Sequence, residues 1–143
     1  LRHADRFRRA RCGQAGGLET VASAASVGRR YAPRAGRPAP VGAREVADRL
    51  RTGDPCAQQV WDEAVAALAG AITTVNAILA PDVVVIGGGL SLAGDLLLAP
   101  LRAAVATRKT FLPLPRIVPA ELGDRAGSLG AAMLAFATIQ GAA

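Results

Sequence analysis

The 143-residue chain is poor in cysteine and in aromatic residues. Its two cysteines, Cys12 and Cys56, sit in dissimilar settings, which argues against a disulfide framework and indicates a reducing, cytoplasmic compartment. Aromatic residues make up 3% of the chain, so no stacking platform for nucleic acid is present. No apolar run approaches the ~18 residues of a membrane span, and the charged opening residues do not resemble a signal peptide. We therefore expect no membrane contact.

The positive charge is almost wholly arginine, because Lys109 is the single lysine in a chain of formal net charge +6. Many of these arginines lie in two stretches near the amino terminus: Arg2, Arg6, Arg8, Arg9 and Arg11, then Arg29, Arg30, Arg34 and Arg37. A nucleic-acid-binding arm has this composition. Since neither an aromatic stacking platform nor a recognition-helix pattern accompanies the arginines, we do not assign nucleic-acid contact to them.

The stretch PDVVVIGGGL, residues 81–90, is the most informative part of the sequence. Its apolar, β-branched run predicts a strand buried on both faces. Three glycines follow, Gly87, Gly88 and Gly89, which let the backbone turn sharply and approach a bulky group. A strand, a glycine turn and a helix in this order are typical of phosphate or nucleotide binding in α/β sheets. Tight packing alone explains the glycines equally well, because the full GxGxxG fingerprint is absent.

Upstream of this stretch the sequence predicts helices and one break. A helix is predicted over residues 18–31, divided near Ser26 or Gly28. A surface linker follows over residues 33–42. Three prolines lie between residues 33 and 40 and exclude helix there. A short amphipathic helix follows over residues 43–51. Asp54 as N-cap and Pro55 at the first helical position begin a long helix that ends before Pro81. Asn76 lies on the flank of its apolar stripe, where it could make a polar contact or be solvated, and we expect it to be solvated.

After the glycines the pattern predicts an apolar helix interrupted or bent near Pro100, a short strand over residues 116–120 and a helix with a small face. That face, built on Ala126, Gly127, Gly130 and Ala131, suits close packing against a sheet or a nucleotide. Alternating helices and strands predict an α/β fold with parallel crossovers. Two strands are too few for a comfortable sheet, and the chain does not begin with Met. We therefore expect the carboxyl-terminal fragment of a larger α/β domain, with an incomplete sheet and mostly helical content.

The run ARCGQAGGLE, from Ala10 to Glu19, resembles part of the signature of the ROK family of bacterial sugar kinases and sugar-responsive repressors. That signature is a Gly-His dipeptide followed ten residues later by CxCGxxGCLE. The spacing would place the dipeptide immediately before Leu1, so the chain is expected to begin just past it. The resemblance covers residues 1–143 as a partial kinase domain. It implies an actin-like, ribonuclease-H-like ATPase fold.

In kinases of this family the histidine and three cysteines surround a zinc ion, and the resemblance makes residues 1–17 the remnant of that loop. Ala10 and Gly17 stand where two cysteines would be, and only Cys12 remains. A structural zinc normally takes four protein ligands, and the displaced His3 could add one at best. The resemblance therefore implies no zinc site here, and leaves Cys12 as a relic or a packed thiol.

The resemblance also implies the ligand contacts. Glu19 matches the family's CLE glutamate, which hydrogen-bonds sugar hydroxyls, although by itself it is equally a first-turn helix carboxylate. Gly87, Gly88 and Gly89 match the family's VxGGG adenosine-binding turn. The family's LGxxAGxxGA closing helix is matched by Leu122, Gly123, Ala126, Gly127, Gly130 and Ala131. No catalytic residue and no metal ligand is assigned.

The function implied is that of a glucokinase-like, ATP-dependent sugar kinase, of which this chain is the carboxyl-terminal part. The complete protein would use ATP with Mg and a hexose-type sugar, as a possible homodimer in the cytoplasm. The family's DxGxT phosphate segment and its general-base aspartate lie upstream of the residues present, so we expect no activity from this chain alone.

Two other interpretations stay open. The parent protein could be a ROK repressor whose sugar fold senses a ligand, and nucleic-acid contact would then belong to an upstream domain. The reading frame could also be a degraded remnant without function, since a sheet cut open exposes strand edges that aggregate. An upstream DxGxT segment with an Asn-Asp pair would indicate a kinase, and an upstream helix-turn-helix would indicate a repressor.

Overall fold

A computed structural model describes residues 16–108 and 112–141 of the chain. These residues form six helices and two strands. In chain order they are α1 (Glu19–Ala22), α2 (Ala24–Arg34), α3 (Ala43–Arg51), α4 (Pro55–Leu79), β1 (Val83–Ile86), α5 (Asp95–Ala106), β2 (Arg116–Pro119) and α6 (Ala126–Gly141). Short 3₁₀ turns at Ser91–Ala93 and Gly123–Arg125 precede α5 and α6.

The first predicted helix is divided at Ser23, not at Ser26 or Gly28. Ser23 has an extended backbone, with φ −91° and ψ 156°, and its side chain accepts a hydrogen bond from the Ser26 amide. A serine in this conformation is a good N-cap, so Ser23 both ends α1 and begins α2. Gly28 lies inside α2, where the chain near Val41 approaches it too closely for any side chain.

The helix α2 extends further than predicted. Pro33 lies in its last turn and Arg34 ends it, although the prolines were expected to exclude helix from residue 33 onward. Proline removes one amide donor and restricts the residue before it, and in the last turn few helical hydrogen bonds remain to be lost. Residues 36–40 are exposed and not helical.

The two helices that follow have the predicted bounds. Both oxygen atoms of Asp54 are used at the start of α4, since Oδ1 accepts hydrogen bonds from the amides of Cys56 (2.8 Å) and Ala57 (3.1 Å) while Oδ2 accepts one from Tyr31. Leu79 is the last residue of the helix, and its C-cap, Ala80, adopts a left-handed conformation (φ 43°) just before Pro81. Its buried face supplies much of the hydrophobic core, including Trp61, Val65 and Ile72.

The 25-residue helix α4 is long and apolar enough to cross a membrane by length and composition. The expectation that no apolar run approaches the length of a membrane span was therefore wrong by length and composition alone. Its packing is that of a core helix, because it contacts α1, α2, α3 and α5 and buries Trp61 at 2% exposure.

The two strands pair in parallel, with Val83 opposite Arg116 and Ile86 opposite Pro119. This confirms the predicted parallel crossover. The prediction that β1 is buried on both faces was wrong for the described part of the chain, because Val85 is 60% exposed. Val84, Ile86 and Ile117 join the core on the face that the helices cover, while the face with Val85 stays open.

Pro100 lies inside α5, which continues through it from Asp95 to Ala106. The predicted interruption is absent because another group takes over the hydrogen bond that proline cannot form. The missing Pro100 amide would have bonded the carbonyl of Leu96, four residues earlier. That oxygen accepts a hydrogen bond from the indole Nε1–H of Trp61 at 3.1 Å. Leu92 lies in the 3₁₀ turn that precedes α5.

The predicted last helix is α6, which begins after the turn at Gly123–Arg125, but its small face does not pack. Each residue from Ala126 to Ile139 is exposed. A Cβ added at Gly127 or Gly130 would meet no atom within 4 Å. The predicted contact of this face with the sheet is therefore not made within the described part of the chain.

Candidate functional site

The glycine turn lies at the carboxyl end of β1, and all three glycines are exposed. Gly88 has φ +82°, a left-handed conformation that residues with a Cβ rarely adopt. Ser91 holds the turn, since its amide and its hydroxyl both donate hydrogen bonds to the Gly88 carbonyl, at 3.0 and 2.7 Å. The turn is thus fixed by the chain itself.

The three glycines differ in which atoms lie near them. A Cβ at Gly89 would lie 3.3 Å from Cβ of Ala24, at the start of α2, and one at Gly87 would lie 3.6 Å from Cβ of Ala120, just past β2. A Cβ at Gly88 would meet nothing within 4 Å. Gly89 therefore allows a close approach of α2, whereas Gly88 is required for the backbone conformation and faces open space.

Glu19 is exposed and begins α1. Its backbone carbonyl accepts a hydrogen bond of 2.6 Å from the hydroxyl of Ser26 in α2. Ala24 begins α2 directly after α1, and it lies beside the glycine turn. The helix that carries Glu19 is therefore joined to an element that packs against the carboxyl end of β1.

A cavity of about 370 Å³ opens between α3 and the segment that follows the glycine turn. Its lining residues are Ala43, Arg44, Ala47, Asp48 and Arg51 of α3, then Trp61, Gly89, Leu90, Leu92 and Ala93. Sequence reasoning gave α3 no functional role. A usable signal was present in Ala43 and Ala47, two small residues four apart, which leave room beside a helix.

Tyr31 and Asp54 support this side of the fold. The Tyr31 hydroxyl donates a hydrogen bond of 2.6 Å to the Asp54 carboxylate. This bond is the main reason that the pKa of Tyr31 is raised, and burial of the ring is the second. The same bond is the main reason that the pKa of Asp54 is lowered, and the hydrogen bond from the Ala57 amide is the second. The pair joins α2 to the start of α4.

Metal ligands do not cluster in residues 16–108 and 112–141, where no group of three His, Cys, Asp or Glu side chains could hold an ion. Cys56 donates a hydrogen bond through Sγ to the Arg34 carbonyl at 3.3 Å. His3, Ala10 and Cys12, which bear on the zinc prediction, lie outside the described residues. Gly17 is described, and its carbonyl accepts hydrogen bonds from both the amide and the hydroxyl of Thr20.

Comparison with known proteins gives a consistent result. The family model of the ROK family matches residues 3–138. A glucokinase from Thermotoga maritima is 36% identical over an alignment of 138 positions. The alignment covers 86% of this chain and 43% of the relative. The chain thus spans less than half the length of this curated relative.

Solved structures share the fold. A ROK family glucokinase from Streptomyces griseus, solved in complex with glucose and AMPPNP, matches with a TM-score of 0.77 and 24% identity, covering 94% of this chain and 49% of that one. A ROK family transcriptional regulator, a homolog of the E. coli MLC protein, matches with a TM-score of 0.62 and 24% identity, covering 83% of this chain and 33% of that one. At these identities the likeness is one of fold.

Proposed function

The chain belongs to the ROK family, and on that premise we propose that it supplies the nucleotide-side and sugar-side contacts of an ATP-dependent, glucokinase-like hexose kinase. One observation carries this proposal. A Cβ at Gly89 would lie 3.3 Å from Cβ of Ala24, so the glycine turn packs against the start of α2, which directly follows the helix that carries Glu19. The 36%-identical relative is a glucokinase, which supports a sugar as the phosphoryl acceptor.

The nucleotide would lie against Gly87, Gly88 and Gly89. The residues present fit such a ligand, because the exposed turn is adjacent to a cavity of about 370 Å³, which is within the usual size of ligand sites. Arg44 and Arg51 on the cavity wall carry two positive charges against the one negative charge of Asp48, so the balance favours an anionic ligand. When bound, ATP would supply the phosphoryl group that is transferred.

Glu19 would contact the sugar. A carboxylate has two acceptor oxygens and can take hydrogen bonds from neighbouring hydroxyls of a hexose. Such bonds to a charged acceptor are about twice as strong as neutral ones. Its exposure in this chain leaves the carboxylate accessible to a ligand.

We expect this chain to bind without turnover. Phosphoryl transfer depends on positioning and on charge stabilisation by a phosphate-binding segment, a metal ion and a base. The family's DxGxT segment and its base aspartate match no part of this sequence. Mg, the aspartate base and dimer formation would belong to a complete kinase in the cytoplasm, of which this chain would be the carboxyl-terminal part.

A sensing role in a ROK repressor is the second candidate, and the shared fold of the regulator structure favours it. The kinase is preferred because its relative is more similar in sequence. The sequence of the parent gene upstream of Leu1 separates the two. A DxGxT segment with an Asn-Asp pair would support the kinase, and a helix-turn-helix domain would support the repressor.

The experiment that tests the kinase proposal is amide chemical-shift mapping of the purified chain, titrated with ATP and then with glucose. We expect ATP to shift Gly87, Gly88 and Gly89, and glucose to shift Glu19. Glu19→Gln should abolish the glucose response. Glu45→Gln is the matched control, because Glu45 is also a first-turn carboxylate, in α3, and its loss should leave the glucose response unchanged. A dispersed spectrum that responds to neither ligand would contradict the proposal.

A further inference from the structure

The helix α1 has four residues, too few to be stable by itself. One helical turn fixes several backbone dihedrals for a single hydrogen bond, so short isolated helices do not persist in water. The direction in which Glu19 points therefore depends on contacts from outside α1. The helix α4 packs against α1, and two buried side chains of α2, Ser26 and Arg30, donate hydrogen bonds to its backbone carbonyls.

Ser26 is fully buried, at 0% exposure, and its hydroxyl is fully occupied. Its Oγ accepts hydrogen bonds from Ser23 Oγ at 2.9 Å and from Arg29 Nη2 at 2.6 Å. A hydroxyl has one proton to donate, and that proton goes to the Glu19 carbonyl at 2.6 Å. The two accepted bonds thus direct the donated one to the backbone of Glu19.

Arg30 holds the other end of α1. It is 3% exposed, and its Nη1 donates a hydrogen bond of 3.0 Å to the Val21 carbonyl. Its Nη2 forms an ion pair with Glu63 of α4. Arg34 also approaches the Glu63 carboxylate, at 3.3 Å. Since Glu63 lies on the central helix, the position of Val21 is tied to the core of the molecule.

We propose that Ser26 and Arg30 are positioning residues that hold the backbone of α1 so that the Glu19 carboxylate presents to the sugar. This inference rests on the proposed function of Glu19. It assigns the two residues no ligand contact, since both are buried. Their substitution should affect sugar binding through Glu19 and leave the glycine turn unchanged.

The test uses the whole chain and the same two titrations. Ser26→Ala removes the bond to Glu19, and we expect the dissociation constant for glucose to rise about tenfold, as for loss of one buried hydrogen bond. The ATP-induced shifts of Gly87, Gly88 and Gly89 should stay as in the original chain. Thr107→Ala is the matched control, because it removes an exposed hydroxyl that donates to a backbone carbonyl, that of Ala104 at 3.0 Å.

A second variant keeps the inference testable if Ser26→Ala does not fold. Glu63→Gln keeps the shape of the side chain but removes the charge that orients Arg30, and should weaken glucose binding in the same direction with the ATP response retained. Equal loss of both ligand responses in the folded variants, or an unchanged glucose affinity, would overturn the inference. Failure of the original chain to respond to glucose would instead overturn the proposed function, and would appear before any substitution is made.

Discussion

Tyr31 and Asp54 form the polar contact whose consequences are easiest to measure. The hydrogen bond between them lowers the pKa of Asp54 and raises that of Tyr31. A lowered carboxyl pKa stabilises the fold above about pH 4, the value of an unperturbed aspartate, and this contribution is lost as the pH falls through the folded-state pKa. A raised phenol pKa stabilises the fold below about pH 10 and is lost as the pH rises through the folded-state pKa.

We therefore expect the free energy of unfolding to fall at both ends of the pH range. Tyr31→Phe should remove the alkaline loss, because it lacks the ionisable group, and should reduce the acid loss, because Asp54 keeps only its backbone donors. Urea unfolding from pH 3 to pH 11 measures both effects. An alkaline loss of equal size in Tyr31→Phe would contradict this account.

Gly28 and Gly70 form a matched pair of helix glycines. A Cβ at Gly28 would overlap the backbone carbonyl of Val41, whereas one at Gly70 would come no closer than 3.9 Å to Nη1 of Arg108. Gly28→Ala should destabilise the fold by about 2 kcal/mol or more, as other overpacked sites do. Gly70→Ala should stabilise it by about 0.5–1 kcal/mol, because alanine is the better helix former. Thermal unfolding of the two variants compares them directly.

Single residues were predictable where their partners are close in sequence. Asp54 as an N-cap is an example, since it bonds amides two and three residues away. Asn76 was expected to be solvated and that was wrong, because it is 2% exposed and donates a hydrogen bond of 3.2 Å to the Pro113 carbonyl. That partner lies 37 residues away, and no local pattern indicates it. Its Oδ1 has no partner within the described part of the chain.

At the level of elements, α5 and α4 are joined through a proline. Pro100 leaves the Leu96 carbonyl without its helical donor, and Trp61 of α4 supplies a replacement. Trp61→Phe should therefore cost more than the loss of its packing, because a buried carbonyl loses its partner, at about 1–3 kcal/mol. In a Pro100→Ala background a backbone amide can reach Leu96, and the cost of Trp61→Phe should be smaller.

A double-mutant cycle on Trp61 and Pro100, followed by urea unfolding, measures this coupling. Additive effects of the two substitutions would show that the carbonyl of Leu96 does not link them.

Elements were predictable where caps define them. The Asp54-Pro55 start and the Pro81 stop gave α4, and the bounds of α3 followed from its amphipathic pattern. The break at Ser23 was not predicted because Ser23 and Ser26 are both suitable N-cap residues by type. Only the fold determines which of the two begins a helix. Pro33 was predicted to exclude helix, and Pro100 was predicted to interrupt or bend one, but each lies inside a helix. Pro33 is tolerated because it lies in the last turn of α2, and Pro100 because Trp61 bonds the carbonyl of Leu96. Helix propensity alone indicates neither.

At the level of the whole molecule, the described residues expose an unusual amount of apolar surface. Large side chains of α6 are exposed by 67–72%: Met133, Leu134, Phe136 and Ile139. Ile78 and Leu79 at the end of α4 are exposed by 74% and 70%, and Val85 of β1 by 60%. Large apolar side chains exposed in this number favour association.

We expect the purified chain to self-associate, and Met133→Lys with Leu134→Lys to shift it toward the monomer. Thr138→Lys adds charge to the same helix without removing a large apolar side chain, and should change the association less. Sedimentation velocity at several concentrations checks this. A chain that is monomeric without substitution would contradict the expectation.

The architecture was predictable as a class, and the prediction of an α/β chain with an actin-like ATPase fold of the ROK type is confirmed. The valine-rich strand, the glycine turn and the parallel crossover carried that inference. The burial of β1 and α6 was not predictable in the same way. Their apolar patterns are those of packed elements, but burial depends on what lies opposite, and this chain spans less than half of its glucokinase relative.

Trp61, the single tryptophan of the chain, lines the cavity beside the glycine turn while 2% exposed to solvent. The molecule therefore carries its own optical probe at the place where a nucleotide is proposed to bind. An indole in apolar surroundings emits at shorter wavelength than one in water, so its emission reports both folding and occupancy of the cavity. A change in emission on addition of ATP, with none on addition of glucose, would locate the nucleotide on the α3 side of the turn without any label.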